Sequence, residues 1–209
     1  MIRVLLADDH AIVRAGLKEI LADTGDIVVA GEATNGQEVL SMVRENEYDL
    51  AVLDMSMPGR NGIELIKLVK EEKPNLRILV LSMHSEKQYA VRAIRAGASG
   101  YLGKDSATDQ MVVAIRRIAG GGAYVSPETA ELLVHDSSPR AAAAQHTLLS
   151  DREFQVFQLI AAGTSITQIA QQLSLSVKTV STHKSRIMDK MKLANQAELI
   201  RYAIENKLI

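Results

Sequence analysis

The chain has 209 residues, 47% of them apolar and only 3% aromatic, with 24 Lys/Arg against 25 Asp/Glu. That length supports one large domain or two small ones with cores of Ala, Val, Ile, Leu and Met, and a net charge of −1 gives no whole-chain sign of a nucleic-acid or membrane partner. With no cysteine, disulfides, thiol catalysis and thiolate-bound zinc are excluded, which fits a reducing compartment.

In chain order, the apolar run Ile2–Ala7 reads as a strand cut by Asp8-Asp9-His10, too short for a signal peptide. Ile12, Val13, Gly16, Leu17, Ile20 and Leu21 recur at helical spacing, and a strand at 27–30 and a helix at 35–46 follow. Then Leu50-Ala51-Val52-Leu53 runs straight into Asp54, with Met55-Ser56-Met57-Pro58-Gly59 behind it. An apolar run bounded by turn residues is the pattern of a strand buried on both faces of a parallel sheet, with the carboxylate at its C-terminal end. Taken alone, Asp54 there is a metal ligand, a nucleophile or a turn cap. A helix at Gly62–Glu72, a turn at Pro74-Asn75, a strand at 77–81 ending in Ser82, a helix at 87–96, a strand at 99–102 ending near Lys104 and a helix at 108–119 complete the half. Five strands alternating with helices predict a parallel sheet with right-handed crossovers and helices on both faces.

The polar residues then align. Asp8, Asp9, Asp54, Ser82 and Lys104 fall at or just past the C-terminal ends of the first, third, fourth and fifth strands, which a doubly wound sheet gathers around one crevice. Three carboxylates there repel one another unless a cation sits among them, and hard oxygen ligands with open positions suit Mg²⁺. A lysine supplies a point charge for a phosphoryl oxygen and a small hydroxyl can bond another. The set reads as a site where an aspartate accepts a phosphoryl group.

On the motifs Asp8-Asp9-His10, Leu53-Asp54-Met55-Ser56-Met57-Pro58-Gly59, Leu81-Ser82 and Tyr101-Leu102-Gly103-Lys104, residues 1–120 resemble the receiver domain of bacterial two-component response regulators. The resemblance implies a flavodoxin-like, doubly wound, five-stranded parallel sheet. It implies Asp54 as phosphoacceptor, Asp8, Asp9, Asp54 and the Ser56 main-chain carbonyl as Mg²⁺ ligands, and Lys104 as the phosphoryl-binding lysine. Ser82 and Tyr101 are the implied switch pair, the hydroxyl moving to the phosphoryl oxygens and the ring turning into the space it leaves. Ser56 and His84 take the positions at which the family tunes dephosphorylation. A sensor histidine kinase is the implied phosphoryl donor.

Gly120-Gly121-Gly122 closes the fifth helix, and Ser126-Pro127 starts a short helix to 134 as N-cap and N1 proline. Residues 135–147, with Ser-Ser-Pro-Arg and four alanines, read as a linker. Residues 1–125 carry 15 Lys/Arg against 17 Asp/Glu, whereas 148–209 carry 8 against 5, so the halves suit different partners. The uncharged window 154–177 holds five Gln, five Ser or Thr and Gly163, which rules out a membrane span.

Ser150-Asp151-Arg152-Glu153 and Ser165-Ile166-Thr167-Gln168 are two capping boxes, each opening a helix. After the turn 174–176 comes a helix with Val177, Val180, Ile187 and Met191 inward and Lys178, Thr179, Ser181, Thr182, Lys184, Ser185 and Arg186 outward, and a last helix spans 196–205. Two capped helices around a short turn, the second basic and rich in small hydroxyls, form a helix-turn-helix pattern whose cations suit phosphates and whose short side chains suit the major groove.

Residues 148–209 resemble the LuxR-type output domain, on Leu149-Ser150-Asp151-Arg152-Glu153, Ile160-Ala161-Ala162-Gly163, Ile169-Ala170, Leu173, Ser176, Thr179-Val180-Ser181-Thr182-His183 and Asn195-Gln196-Ala197-Glu198-Leu199. The whole chain thus resembles a NarL/FixJ-family response regulator: receiver at 1–121, linker with a short helix at 122–147, four-helix DNA-binding domain at 148–209. The resemblance places Ser181, Thr182 and Ser185 toward bases and Lys178, Thr179, Lys184 and Arg186 nearer the backbone of promoter DNA. It also implies a homodimer when phosphorylated or DNA-bound, and a cytoplasmic location. Ser181 and Thr167 depart from the residues common in the family, Lys and Glu. An aspartyl-phosphate hydrolase, the competing class, needs a second carboxylate two residues after its nucleophile, where this chain has Ser56.

Overall fold

The computed structural model describes residues 1–57, 62–82, 87–105, 107–136, 145–206 and 208. The predicted turn at Pro58-Gly59, His84 and the alanines of the predicted linker lie outside them. The chain divides into two compact units, Met1–Ala130 and Glu131–Ile209.

The first unit alternates β1 (Ile2–Ala7), α1 (Ala11–Ala22), β2 (Ile27–Ala33), α2 (Gly36–Glu45), β3 (Leu50–Asp54), α3 (Gly62–Glu72), β4 (Arg77–Ser82), α4 (Lys87–Arg95), β5 (Gly100–Gly103) and α5 (Ala107–Ala119). The strands are all parallel, in the order β2-β1-β3-β4-β5. The direction in which successive strands are added therefore reverses between β1 and β3, the switch point at which such sheets bind ligands. All five β3 residues are buried, as the unbroken apolar run requires. Val4, Leu6, Val52, Leu79 and Leu81 pack on one face against Leu17 and Leu21 of α1 and Met111, Ile115 and Ile118 of α5. Side chains alternate along a strand, so the equally buried Leu5, Ala51, Leu53, Ile78 and Val80 fill the other face. Each such aliphatic side chain contributes about 1.5–3 kcal/mol by leaving water.

Two local expectations change, and one contact was not foreseen. Ile12 is 88% exposed, because five residues of helix turn it about 140° from Leu17, off the core stripe. β2 extends to Ala33 rather than 30: this edge strand is only partly buried, and a register shift opposite Val4/Leu5 carries Gly31-Glu32-Ala33 on along β1. Beyond α5, Tyr124 bridges Gly100 and its carbonyl accepts the Tyr101 amide at 2.8 Å. A Cβ at Gly100 would lie 2.8 Å from that carbonyl and 2.7 Å from Ile118 Cδ1, so only glycine admits the approach.

Helix α6 (Pro127–Asp136) begins where Ser126 Oγ accepts the Thr129 amide. The second unit continues with a 3-10 turn at Gln145–Leu148, α7 (Asp151–Ala161), α8 (Ile166–Gln172), α9 (Val177–Met191) and α10 (Gln196–Glu205). Both predicted capping boxes form, and Ser176 and Asn195 cap α9 and α10. Gly163, at φ 83°, ends the first of these helices. Phe154, Phe157, Ile160, Ile169, Val180, Ile187, Met191 and Leu199 make the core. Residues 145–147, read from sequence as linker, are instead folded onto this bundle: His146 is buried, its Nδ1 3.0 Å from the Tyr202 hydroxyl and its ring 6.3 Å from that of Phe154. The contacts that seat the turn on the bundle are tertiary, so no periodicity announced it.

Glu153 is buried, accepts the Ser150 amide at 2.8 Å and pairs with Lys190 at 2.7 Å. Burial raises its pKa, but Lys190 and the Ser150 bonds outweigh it and hold the carboxyl below the ordinary glutamate value. A depressed folded-state pKa gives stability that is complete above the unfolded value, about 4.3, and is lost as pH falls through the lower folded value. Denaturant titrations should show Glu153→Gln losing less stability than wild type across that acid range; parallel curves would refute the linkage.

Candidate functional site

The C-terminal ends of β1, β3, β4 and β5 converge on one acidic crevice. Asp8, Asp54 and Ser82 are at most 1% exposed. Lys104 Nζ lies 2.6 Å from Asp8 Oδ2 and 2.9 Å from Asp54 Oδ2, and the Lys104 amide donates to the Ser82 carbonyl at 2.8 Å, tying the end of β5 to that of β4. Asp54 Oδ1 accepts the Ser56 amide at 3.1 Å, and Ser56 sits exposed at the rim. Asp9 is also at the rim, its Oδ1 2.9 Å from His10 Nδ1. Tyr101 pairs in register with Val80, two residues before Ser82, so Tyr101 and Ser82 lie diagonally on one face of the sheet. The ring is already inward, 9% exposed.

The electrostatics are those of a buried acidic crevice held by one ammonium. Burial pushes the Asp54 carboxyl above its ordinary value; Lys104 and the Ser56 amide oppose the rise without cancelling it, and Asp8 adds to it. Burial alone would favour neutral Lys104, but Asp8 and Asp54 outweigh it and hold the ammonium above the ordinary lysine value. Asp8 Oδ2 and Asp54 Oδ2 still have no aligned hydrogen bond, only the ionic contact with Lys104. Ligand atoms of Asp8, Asp9, His10 and Asp54 lie within 4.8 Å of one another. Under-satisfied carboxylate oxygens around a small volume fit a hard divalent cation.

Two neighbours lacked a role in the sequence reading. His10 stands in this cluster, and Arg14 Nη1 donates to the Asp8 carbonyl at 2.6 Å while its Nε faces Glu32 at 3.6 Å. His10 follows the acidic pair directly and Arg14 lies one helical turn later, which is the signal that could have found them.

In the second unit, α9 turns Val180, Ile187 and Met191 into the core. Lys178, Ser181, Thr182, Ser185 and Arg186 are exposed on its outer side, while Thr179 and Lys184 are half-buried on the flanks. Val177, expected inward, is 49% exposed at the first position of α9, one turn before buried Val180. Thr179 Oγ1 meets the Ser176 cap at 2.8 Å, and Lys184 Nζ donates to Gln196 of α10 at 2.7 Å. The Ser181 and Thr182 hydroxyls donate to carbonyls one turn back, both at 2.9 Å. The outer surface is thus short and smooth, with cations around it.

Residues 4–116 match the family described as "Response regulator receiver domain", and residues 147–203 match "Bacterial regulatory proteins, luxR family". The chain is similar to the response regulator UvrY of Escherichia coli (strain K12), 35% identical over 209 residues that cover 100% of this chain and 96% of that protein. Among solved structures it is similar to RcsB from Salmonella enterica serovar Typhimurium bound to promoter rprA in the presence of phosphomimetic BeF3⁻, with 27% identity, 96% of this chain and 97% of that one covered, and a TM-score of 0.65. It is also similar to a structure of two RcsB dimers bound to two parallel DNAs, with 28% identity, 96% of each chain covered and a TM-score of 0.60.

Proposed function

The chain belongs to the NarL/FixJ family of two-component response regulators, and we propose that it is a phosphorylation-controlled, DNA-binding transcription factor with Asp54 as its phosphoacceptor. The observation that carries this reading is the buried Asp54 carboxylate beside Lys104 and Asp8 at the sheet's switch point. A sensor histidine kinase supplies the phosphoryl group: an Asp54 oxygen forms the new O–P bond as the P–N bond of the donor phosphohistidine breaks. Asp8, Asp9, Asp54 and the Ser56 main-chain carbonyl would hold Mg²⁺, which when bound supplies positive charge against the phosphoryl oxygens. Lys104, released from pairing with two carboxylates, gives its charge to one of those oxygens, and the Ser82 hydroxyl bonds another. Ser82 and Tyr101 relay the change across the face they share.

Residues 1–121 serve as receiver, and 148–209, with the 145–148 turn folded onto them, as output domain. Ser181, Thr182 and Ser185 face bases; Lys178, Thr179, Lys184 and Arg186 hold the phosphate backbone of promoter DNA, and phosphorylation or DNA binding favours a homodimer. The protein acts in the cytoplasm, and no helix among the described residues is long and apolar enough to cross a membrane.

The test combines the switch and the surface. Beryllofluoride with Mg²⁺ should shift the chain toward dimer and tighten its binding to genomic fragments of its host. Lys184→Ala or Arg186→Ala should weaken binding on every sequence and reduce the salt slope by about one unit per lost phosphate contact. Equal binding with and without beryllofluoride would remove phosphorylation as the control, and an unchanged slope would place that residue off the DNA.

A further inference from the structure

His10 sits among the carboxylates by virtue of the main chain. Asp8 Oδ1 accepts the His10 amide at 2.8 Å, an Asx-type turn that fixes the Cα of His10 at the mouth of the crevice, immediately before α1. The imidazole Nδ1 lies 2.9 Å from Asp9 Oδ1 and 3.2 Å from Asp8 Oδ1, while the side chain is 60% exposed, so burial is not what holds the ring there. One ring nitrogen of His10 and one oxygen each of Asp8, Asp9 and Asp54 lie within 4.8 Å of one another. Deeper in, Asp8 and Asp54, at most 1% exposed, each keep an Oδ2 with no aligned hydrogen bond. The cluster is one nitrogen and three carboxylates, not carboxylates alone.

We propose that this crevice also takes borderline divalent transition metals (Ni²⁺, Co²⁺, Zn²⁺), with His10 Nδ1 as the ligand that selects them over Mg²⁺. The proposal rests on reading the crevice as a cation site. Mg²⁺ seeks oxygen, keeps several waters and gains little from an imidazole. Ni²⁺, Co²⁺ and Zn²⁺ bind imidazole well and stand above Mn²⁺ in affinity for mixed nitrogen and oxygen donors. A site of oxygens alone draws that distinction only weakly; one nitrogen at its mouth widens it. The residue after the acidic pair therefore sets which ion the receiver holds when both kinds are present.

The test is calorimetric titration of the full, chelator-stripped chain with Mg²⁺ and with Ni²⁺, together with the visible absorption of the Co²⁺-loaded protein, which reports nitrogen ligation. For His10→Ala, Mg²⁺ affinity should stay within about two-fold, since no oxygen ligand is lost. Ni²⁺ affinity should fall by at least about ten-fold, the lower end of what losing a mere ligand-orienting partner costs, and the Co²⁺ bands should change. His10→Asn separates a ligand from a structural role: asparagine is the better helix N-cap, so it would restore a structural function, whereas a ligand function stays lost. Unchanged Ni²⁺ affinity in His10→Ala, an equal loss for both ions, or full recovery in His10→Asn would each overturn His10 as the selecting ligand. Wild-type protein that binds no Mg²⁺ would instead overturn the cation site beneath it.

Discussion

Asp54→Asn should incorporate no phosphate from acetyl phosphate and Mg²⁺, while its circular dichroism stays that of wild type. The Asp54 carboxylate lies on β3 beside both Lys104 and Asp8, and an amide oxygen there is a poor nucleophile. The fold survives because the change is isosteric and removes a charge the site does not favour. Burial holds the Asp54 pKa above its ordinary value. An acid whose folded-state pKa is raised costs stability as pH rises from the ordinary carboxylate value through the folded one. At neutral pH the asparagine variant should therefore melt no lower than wild type. Lys104 keeps Asp8 as a partner, so no buried ammonium is stranded. Phosphate incorporated by Asp54→Asn would end the assignment of Asp54. A variant that fails to fold would show that the carboxylate is structural, and intact folding with loss of the adduct separates the two.

The alternation of elements was legible because each depends on local rules. β3 is announced by four apolar residues before Asp54, and α7 and α8 by the capping boxes at Ser150 and Ser165, both of which form in the structure. The acidic crevice followed from topology, since parallel strands place their C-terminal residues on one edge. Tertiary features were hidden. Tyr124 reads as loop, yet its carbonyl extends the sheet edge at Tyr101, and His146 sits in an unpatterned stretch, yet it meets Tyr202 across 56 residues. Ile12 shows the converse: an apolar residue near the right spacing, but on the wrong side of α1. Near the crevice, carboxylates and lysine betray themselves by charge, whereas the closeness of His10 Nδ1 to Asp9 depends on a turn that only coordinates reveal.

Phe157→Ala should unfold the second unit enough to abolish DNA binding while phosphorylation of the first persists. Phe157 is fully buried, its ring stacked on Phe154 at 6.0 Å and edge-on to Tyr202 at 6.5 Å. The chain has only two phenylalanines, both in this cluster, so truncating one removes much of the unit's aromatic core. Phenylalanine to alanine in a core costs about 3–5 kcal/mol, from lost transfer energy and the cavity left behind. Domain stabilities run to about 5–15 kcal/mol, and a small unit lies toward the lower end. His146 and Tyr202 pack around the same rings, so the 145–148 turn and α10 should loosen with them. The first unit has its own core between its sheet and helices, with Asp54 and Lys104 anchored in β3 and just past β5. Acetyl phosphate labelling should then proceed at the wild-type level in a protein that no longer shifts promoter DNA. Retained DNA affinity would show that the bundle tolerates the cavity, and loss of labelling would show that the phosphoacceptor crevice depends on the folded output unit.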